Sequence, residues 1–481
     1  MRRIKKLTVF DTILTIVSSQ RMLLSRKERS NLFTTQFLTT LFPAMSGKQS
    51  TEQIYIEEVT TDSRNTTSNG LFIPIVGERF DGHTFIEEAV KNGAVAALWQ
   101  KDRPIPDTVQ TSCTFFSVDD TLVALQQLAH AYRKDVNPIV IAITGSNGKT
   151  TTKDLTKAVL QTTYKTHATR GNLNNDIGLP LTLLQMPRDT EVVVVEMGMN
   201  DFGEIRLLTN IAQPHYAIVT NIGESHIEHL GSREGIRDAK LEIVASLDED
   251  GLLIIDGDEP LLTESANFRH VRSCSFTSGD LVIENVQIDG KTTTFTIDDT
   301  TYTIPLLGKH HAKNASFAIL VAKQLKIDDA VIKRGLMDVE HSTMRFEMID
   351  GKNNVTIIND AYNASPTSMR AAIEVVKQLT DFQYKGLVLA DVLELGTFAA
   401  PLHRTIGEKI DHSIDFVFTY GKEAEVICEV VKKREPEIVC RHFTSKDELI
   451  RALEHMMRKN SVVLFKGSRG MQLEEIIEQF I

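Results

Sequence analysis

The chain has 481 residues, of which 42% are hydrophobic and 24% charged, a composition typical of a large globular protein of about three domains. Its net charge of −11 argues against nucleic acid as the main partner. The cysteines lack CxxC spacing, so we expect no disulfide framework or zinc site, and a reducing, cytoplasmic location: Cys113, Cys274, Cys428 and Cys440.

The first 30 residues imitate a secretory signal, with RRIKK followed by LTVFDTILTIV. However, Asp11 interrupts the apolar run and no small-residue cleavage site follows it. The run is also too short to span a bilayer, and no other segment has a transmembrane pattern. We predict either a flexible extension over residues 1–30 or a start site assigned too far upstream, with Met22 as the true beginning.

Residues 31–136 are predicted to form a small mixed α/β domain. Short strands (LFIPIV, AVAALW) alternate there with helical stretches (FIEEAVKNG, TLVALQQLAHAYRK). A central domain over residues 137–340 contains apolar strands that end in polar loops, as in VVVVEMGMN, AIVTNIGESH and LLIIDGDEP. We expect the Thr- and Asp-rich stretch at about 281–304 to form antiparallel strands at the edge of that domain.

The strand IVIAI is followed by TGSNGKTTT, a pattern that predicts a nucleotide phosphate loop. Gly145 and Gly148 permit backbone angles that let successive amides converge on phosphate oxygens at the start of a helix. Lys149 supplies a charge for the outer phosphates, and Thr150 a hydroxyl for Mg²⁺. The loop is shorter than a Walker A box, whose first glycine would fall at Ile143. The sequence therefore predicts ATP binding.

Residues 341–481 repeat the strand, loop and helix rhythm in VTIINDAYNASPTSMRAAIEVV, GLVLADVLELG, DFVFTYG and VVLFKGSRG. Continuous apolar strands that alternate with helices predict parallel sheets covered on both faces, here a Rossmann-like α/β domain. Ligands of such sheets gather beyond the carboxyl ends of the strands, where the polar loops lie.

Several polar residues in those loops are candidates for the site. Glu196 ends a run of four valines and would offer Mg²⁺ a hard oxygen ligand. His226 could reach the same ion, although a lone histidine is more often a structural hydrogen-bonding residue. Lys240 has, by default, the pattern of a solvated helix lysine.

The third region offers weaker candidates. Asp360 and Asn363 could hold a ribose or a phosphate-bound water, or could merely form a turn. Nothing local distinguishes Arg345 from an ordinary surface arginine.

In chain order, eight segments together resemble the ATP-dependent Mur ligases of peptidoglycan synthesis. They are TGSNGKTTT, NLNNDIGLPLTLL, VVVVEMGMNDFGEI, TNIGESHIEHLG, GKHHAKNASFA, DAYNASPTSMRAA, LADVLELG and FKGSRGMQ. The amino-terminal TTDSRNTTSNGLFIPIVGERFDGHTF is similar too, so the resemblance runs from about residue 31 to the end.

The resemblance implies a three-domain ligase with an amino-terminal module for a uridine nucleotide and a central P-loop ATPase domain. NxNNxIGxPLTLL, DAYNASP and LELG favour the member that adds D-alanyl-D-alanine to UDP-N-acetylmuramoyl-tripeptide through an acyl phosphate, with ATP and Mg²⁺. A member that adds diaminopimelate as the third residue would carry a DNPR-like signature, which is absent. We expect a cytoplasmic monomer.

The resemblance also implies residue roles. Lys149, His226, Lys240 and Arg345 would be catalytic, with Lys240 carbamylated into a metal ligand beside Thr150, Glu196 and His226. Nucleotide binding would involve Thr144, Gly145, Ser146, Asn147, Gly148, Lys149, Thr150, Thr151, Asn314, Arg345 and Asp360. The UDP end of the substrate would contact Asp62, Ser63 and Arg64. Its sugar and peptide would contact Asn174 and Asn175.

Two other classes of protein remain open. A folylpolyglutamate or cyanophycin-type ligase would keep the ATP site, but the segment TTDSR through DGHTF argues against it. A non-catalytic ATP-binding regulator would tolerate the loss of Glu196, His226 and Lys240, all of which are present.

Overall fold

The computed structural model describes residues 32–48, 53–65, 67–264, 268–340 and 342–481. The extension predicted over residues 1–30, with Met22, lies outside these ranges. No helix within them is long and apolar enough to cross a membrane.

The amino-terminal region, within residues 32–48, 53–65 and 67–136, contains a five-stranded sheet. Its elements are β1 (Phe33–Thr34), α1 (Thr35–Leu41), β2 (Met45–Gly47), β3 (Tyr55–Ile56), β4 (Glu58–Thr60), β5 (Gly70–Phe72), α2 (Ile86–Lys91), β6 (Ala94–Gln100), β7 (Thr114–Val118) and α3 (Thr121–Val136). The strand order is β2-β7-β6-β5-β4, with only β2 antiparallel to its neighbour. Helix α3 binds the next region: Tyr132 and Arg133 donate hydrogen bonds to the carbonyls of Met186 and Gln213, each at 2.8 Å.

The central region begins with the strand that carries the phosphate loop. Its strands are β8 (Ile139–Thr144), β9 (Thr166–Ala168), β10 (Val192–Glu196), β11 (Tyr216–Val219), β12 (Leu252–Asp256), β13 (Val271–Ser275), β14 (Leu281–Val282), β15 (Glu284–Asp289), β16 (Thr292–Ile297) and β17 (Thr300–Ile304). Its helices are α4 (Lys149–Leu160), α5 (Gly178–Leu184), α6 (Glu204–Ala212), α7 (Ile227–Leu230), α8 (Arg233–Leu241), α9 (Pro260–Thr263), α10 (Lys309–Gln324) and α11 (Asp329–Met337).

Within residues 137–264 and 268–340, the main sheet has seven parallel strands in the order β14-β13-β12-β11-β8-β10-β9. Strands β8 and β10 are buried along their whole length, which explains their unbroken apolar sequences. Strands β15, β16 and β17 are antiparallel, as predicted, but they form a separate three-stranded sheet. The start of the predicted stretch, Leu281–Val282, is instead the parallel edge strand β14 of the main sheet.

The carboxyl-terminal region, within residues 342–481, has a six-stranded sheet in the order β18-β19-β23-β20-β21-β22. Its elements are β18 (Glu347–Gly351), β19 (Val355–Asn359), α12 (Pro366–Gln378), β20 (Tyr384–Ala390), α13 (Ala399–Gly407), β21 (Phe416–Tyr420), α14 (Glu425–Arg434), β22 (Val439–Phe443), α15 (Lys446–Met456), β23 (Ser461–Lys466) and α16 (Glu474–Ile477). Strand β18 is antiparallel to β19 and the other pairings are parallel.

These sheets position the candidate site. The loops that follow β8, β10 and β11 leave the carboxyl edge of the central sheet, and those that follow β19 and β23 leave the corresponding edge of the carboxyl-terminal sheet. Both sets of loops line one cleft, as expected for parallel α/β sheets.

Candidate active site

A cleft of about 480 Å³ lies between the central and carboxyl-terminal regions. It gathers most of the residues singled out in the sequence: Ser146, Asn147, Gly148, Lys149, Thr150, Thr151, Asn174, Asn175, Glu196, His226, Asn314, Arg345, Asp360 and Asn363. Lys466, from the segment FKGSRGMQ, also lines it. Six other candidates do not line it: Asp62, Ser63, Arg64, Thr144, Gly145 and Lys240.

The phosphate loop turns sharply into helix α4 at Gly148, whose φ is +78°. A Cβ atom at that position would lie 2.6 Å from Oδ1 of Asn314, so the turn requires glycine on both conformational and steric grounds. Lys149 Nζ donates to the carbonyl oxygen of Gly145 at 2.8 Å, and Thr144 Oγ1 donates to the carbonyl of Met197 at 2.9 Å. The lysine thus bends back over its own loop.

The loop is held by Asn221, at the end of β11, which the sequence reasoning missed. The amide N–H groups of Ser146 and Asn147 donate to the carbonyl and side-chain oxygens of Asn221 at 3.1 and 3.0 Å. The Asn221 side-chain amide donates to the Asn147 carbonyl at 3.0 Å. Asn221 belongs to the segment TNIGESHIEHLG, but its role could not be inferred there because its partner Asn147 is 74 residues away in the chain.

Glu196 is 2% exposed and accepts two hydrogen bonds from neutral side chains. Thr150 Oγ1 donates to one carboxylate oxygen and Asn174 Nδ2 to the other, each at 2.8 Å. When a buried carboxylate has only neutral hydrogen-bond partners, its negative charge is poorly compensated, so it is suited to binding a cation. Among the described residues, no group of three or more His, Cys, Asp or Glu side chains forms a metal-binding cluster.

Two lysines lie close enough for their charges to interact. Burial lowers the pKa of Lys149, against the attraction of Glu196. Burial, reinforced by the charge of Lys149, holds the pKa of Lys240 well below its ordinary value. Because Lys240 is only 2% exposed, the default interpretation as a solvated helix lysine is wrong.

His226 connects the central region to the loop after β20. Its Nδ1 lies 2.6 Å from Oε2 of Glu394, and its backbone has a φ of +63°. Burial lowers the pKa of His226, whereas the Glu394 carboxylate raises it. A second cavity, of about 620 Å³, begins at this pair and extends past Leu393 to Arg469. It adjoins the first cleft, with which it shares His226.

The carboxyl-terminal region contributes two cations. The Arg345 guanidinium lies 4.3 Å from the centre of the Tyr362 ring, a cation–π contact at the cleft wall. Lys466 is 2% exposed and pairs with Asp360 at 2.7 Å, while the other oxygen of Asp360 accepts from the Phe346 N–H at 3.2 Å. Asp360 therefore does more than form a turn.

Other lining residues have structural contacts of their own. Asn175 Oδ1 accepts from the N–H groups of Ile177 and Gly178 at 3.3 and 2.8 Å, which caps helix α5. His310 also lines the cleft, and burial lowers its pKa to about 4. The sequence analysis did not single it out, because a histidine within a helical segment has no distinguishing pattern.

The TDSR segment lies in the amino-terminal region, just after β4. Arg64 and Asp62 form a bidentate ion pair with distances of 2.8 and 2.7 Å, and this pair lowers the pKa of Asp62 to about 2. Ser63 donates a hydrogen bond to Glu88 on helix α2. These residues are separate from the phosphate loop cleft.

Family models match three successive parts of the chain. The Mur ligase family catalytic domain matches residues 55–133, the Mur ligase middle domain 143–322, and the Mur ligase glutamate ligase domain 344–469. Each match falls within one of the three regions described above.

Two curated relatives cover nearly the whole chain, and both are named UDP-N-acetylmuramoyl-tripeptide–D-alanyl-D-alanine ligase. The Bacillus subtilis protein is 47% identical over 433 residues, covering 89% of this chain and 94% of the relative. The Escherichia coli protein is 32% identical over 457 residues, covering 92% and 97%.

Solved structures agree with these similarities. MurF from Acinetobacter baumannii has a TM-score of 0.81 at 30% identity, covering 93% of this chain and 98% of that one. MurF ligase from Thermotoga maritima in complex with ADP has a TM-score of 0.77 at 28% identity, covering 88% and 96%.

Proposed function

This chain belongs to the Mur ligase family, and from that premise we propose that it joins D-alanyl-D-alanine to UDP-N-acetylmuramoyl-tripeptide at the expense of ATP. The observation that carries the proposal is the single cleft in which the phosphate loop faces Arg345, Asp360 and Lys466. Two further findings support it: the similarity to named relatives over nearly their full length, and the ADP in the similar structure of MurF ligase from Thermotoga maritima.

The reaction has two steps. The tripeptide carboxylate attacks the γ-phosphorus of ATP, the bond to the bridging oxygen breaks, and ADP leaves. The amine of D-alanyl-D-alanine then attacks the acyl carbon of the acyl phosphate, phosphate departs, and the amine proton passes to phosphate or water. Phosphoryl transfer requires alignment and charge neutralisation more than covalent help from the protein.

The roles of the cationic side chains follow from this need. Lys149 would leave the Gly145 carbonyl and bind the β- and γ-phosphates. Arg345, on the opposite wall, would neutralise charge on the γ-phosphoryl group during transfer. The Nδ2 atom of Asn147 is buried and has no hydrogen-bond partner among the described residues, so it is available to a nucleotide oxygen.

The donor set fits a magnesium ion. Thr150 and Glu196 would hold one ion and His226 a second, together with Lys240 if it is carbamylated. When bound, Mg²⁺ supplies positive charge to the phosphate oxygens. The low pKa of Lys240 leaves more of its amine neutral, which is the form that reacts with carbon dioxide.

The remaining assignments concern the substrates and the domains. Asn314 would lie near the adenine and Asp360 near the ribose, with Asn174 and Asn175 towards the sugar and peptide. Asp62, Ser63 and Arg64 would bind the uridine diphosphate end. We propose domains at residues 31–136, 137–340 and 341–481, and a monomer.

The test is ADP release by the purified chain with substrates supplied singly and together. We expect release to require both UDP-N-acetylmuramoyl-tripeptide and D-alanyl-D-alanine. Lys149→Ala should reduce the rate by at least about 100-fold, because it removes charge from the transferred phosphoryl group. Lys157→Ala, on the same helix but with a half-exposed side chain, is the control and should retain activity.

Equal turnover with glutamate and a folate would refute the assignment. A substrate panel that varies only the third residue of the tripeptide, lysine against diaminopimelate, would define the natural substrate. D-alanyl-D-lactate, tested in the same assay, would measure the preference for a dipeptide acceptor over a depsipeptide.

A further inference from the structure

The carboxyl-terminal region meets the central region at the amino-terminal end of helix α12. Glu224, in the loop after β11, accepts a hydrogen bond from Thr367 Oγ1 at 2.7 Å and from the Thr367 N–H at 3.3 Å. Arg370, one turn further along α12, lies 3.1 Å from the other oxygen of Glu224. The carboxylate is thus gripped by a helix terminus and a guanidinium of the opposite region.

Helix α12 is built to receive this carboxylate. Its first turn has no acidic residue of its own, although the partial positive charge of a helix amino terminus favours one. Glu224 supplies the missing acid from 143 residues away. The carboxylate is 9% exposed, so water screens these contacts only weakly.

Arg370 is held in place independently of Glu224. Its Nη1 atom donates to Thr405 Oγ1 on helix α13 at 2.8 Å, and its Nη2 atom donates to Thr367 Oγ1 at 2.8 Å. Both partners belong to the carboxyl-terminal region. The guanidinium therefore offers a prearranged site, and little side-chain entropy is lost when Glu224 binds it.

A second contact joins the same helix end to the phosphate loop. Ser365 caps α12 by accepting from the Ser368 N–H at 3.1 Å, and the same hydroxyl donates to Oδ1 of Asn147 at 2.8 Å. Only four residues separate Ser365 from Asp360, which lines the cleft and pairs with Lys466. The position of α12 therefore sets the position of the loop that carries Asp360 into the cleft.

We propose that Glu224 is a positioning residue that fastens helix α12 to the central region and thereby sets the Asp360 loop and Arg345 over the phosphate loop. Glu224 does not line the cleft, and it acts through Arg370, Thr367 and the helix to which they belong. This inference rests on the proposed function, because the positioning matters for that reaction. The contact between Glu224 and helix α12 can nevertheless be tested by nucleotide binding alone.

The experiment compares Glu224→Gln with wild type in the full-length protein, with ADP and magnesium as the probe. We expect the Kd for ADP and the KM for ATP to rise about 10-fold, the effect of losing a charged hydrogen bond. The KM for the uridine-nucleotide substrate should change less than about 2-fold, because that substrate is proposed to bind the amino-terminal region. Arg370→Gln should behave in the same way.

The double variant of Glu224 and Arg370 distinguishes a positioning role from a general loss of stability, because it tests whether the two residues act through the same contact. In the double variant, the Kd for ADP should be no higher than in either single variant, since each substitution already breaks the same contact. Glu259→Gln is the matched control: its carboxylate side chain is similarly buried and pairs with Arg233 at 2.6 Å, but wholly within the central region. It should leave ADP binding unchanged even if it lowers the melting temperature.

Wild-type ADP affinity in Glu224→Gln, or additive losses in the double variant, would overturn the proposal. A loss of ADP affinity in Glu259→Gln as large as in Glu224→Gln would also overturn it, because the effect would then reflect stability. If wild type fails to join the stated substrates while ADP binding behaves as described, the proposed function fails and the positioning role stands.

Discussion

At the scale of single residues, the cleft depends on side chains that are buried without an opposite charge at hydrogen-bonding distance. Glu196 has only neutral partners, and Lys240 is buried with Lys149 as a neighbouring like charge. Such arrangements cost folding free energy and are found where a ligand supplies the missing charge. Bound Mg²⁺ and phosphate would complete this arrangement.

Gly148→Ala should weaken nucleotide binding by about 10-fold or more. The left-handed backbone costs an alanine about 1–2 kcal/mol, and its Cβ would collide with Asn314, so either the phosphate loop or the Asn314 side chain must shift within the nucleotide site. Isothermal titration with ADP and magnesium measures the effect.

Gly203→Ala is the matched control for this substitution. Gly203 also precedes a helix with a φ of +85°, but no atom lies within 4 Å of the position of its Cβ. It carries the same backbone strain without the collision, so ADP affinity should persist. Equal losses in the two variants would mean that strain alone, and not the contact with Asn314, governs the loop.

The residues predicted from sequence are those with a local signature. Lys149 and Thr150 follow a glycine turn, and Glu196 ends an apolar strand, so short windows were sufficient to find them. Asn221 and Glu224 lacked such a signature, because their function lies in contacts with the phosphate loop and helix α12 that only the fold creates. Burial of Lys240 was likewise invisible in an ordinary helical sequence.

At the scale of elements, His215 joins the two strands that carry the phosphate loop and Asn221. The imidazole Nδ1 of His215 accepts a hydrogen bond from the backbone N–H of Val140 at 3.0 Å. The backbone N–H of His215 donates to the Val140 carbonyl at 2.9 Å. Burial, aided by the charge of Arg133, lowers the pKa of His215 to about 4. The imidazole is therefore neutral in the folded protein at pH 7.

Acidification should destabilise this junction. The unfolded chain binds a proton at His215 near pH 6.5, whereas the folded one does so only near pH 4, so stability is complete above pH 6.5 and is lost as the pH falls towards 4. His215 alone should contribute about 2 kcal/mol to the loss of stability at pH 5, measured by urea unfolding.

His215→Gln, which cannot take up a proton, should show a smaller loss of stability between pH 7.5 and pH 5 than wild type. His455→Asn, a change at an exposed histidine, should keep the wild-type dependence. An unchanged dependence in His215→Gln would show that other groups control the effect.

The individual strands were easier to predict than the neighbours with which they pair. The apolar runs of β8, β10 and β11 identified a parallel sheet, because strands buried on both faces have no alternation. The Thr-rich strands β15, β16 and β17 were recognised as antiparallel, but their pairing into a sheet of their own depends on tertiary packing that no local pattern encodes.

At the scale of the whole molecule, neither region alone makes the site. The central region supplies the phosphate loop and Glu196, and the carboxyl-terminal region supplies Arg345, Asp360 and Lys466. Closure of one over the other would exclude water from an acyl phosphate that would otherwise hydrolyse. Scattering that shows equal compactness with and without an ATP analogue and the muramyl substrate would count against closure.

Nucleotide binding should stabilise the protein only when magnesium is present. ADP at about 100 times its Kd contributes about 2.7 kcal/mol, which should raise the melting temperature by roughly 3 °C or more. Chelation with EDTA should abolish most of this increase, because the phosphates would then face Glu196 without a cation between them. Differential scanning fluorimetry measures the increase in melting temperature with ADP and magnesium and its loss on adding EDTA. Lys149→Ala should show no increase with ADP and therefore no change with EDTA.

An equal increase in melting temperature with EDTA would mean that the loop binds the nucleotide without a metal.

The second cavity, beside His226 and Glu394, has a consequence for inhibition. It lies between the central and carboxyl-terminal regions, whose closure is expected to precede the reaction. A small molecule bound there would hold the two regions apart and so inhibit the reaction. Such an inhibitor need not resemble the nucleotide or the peptide.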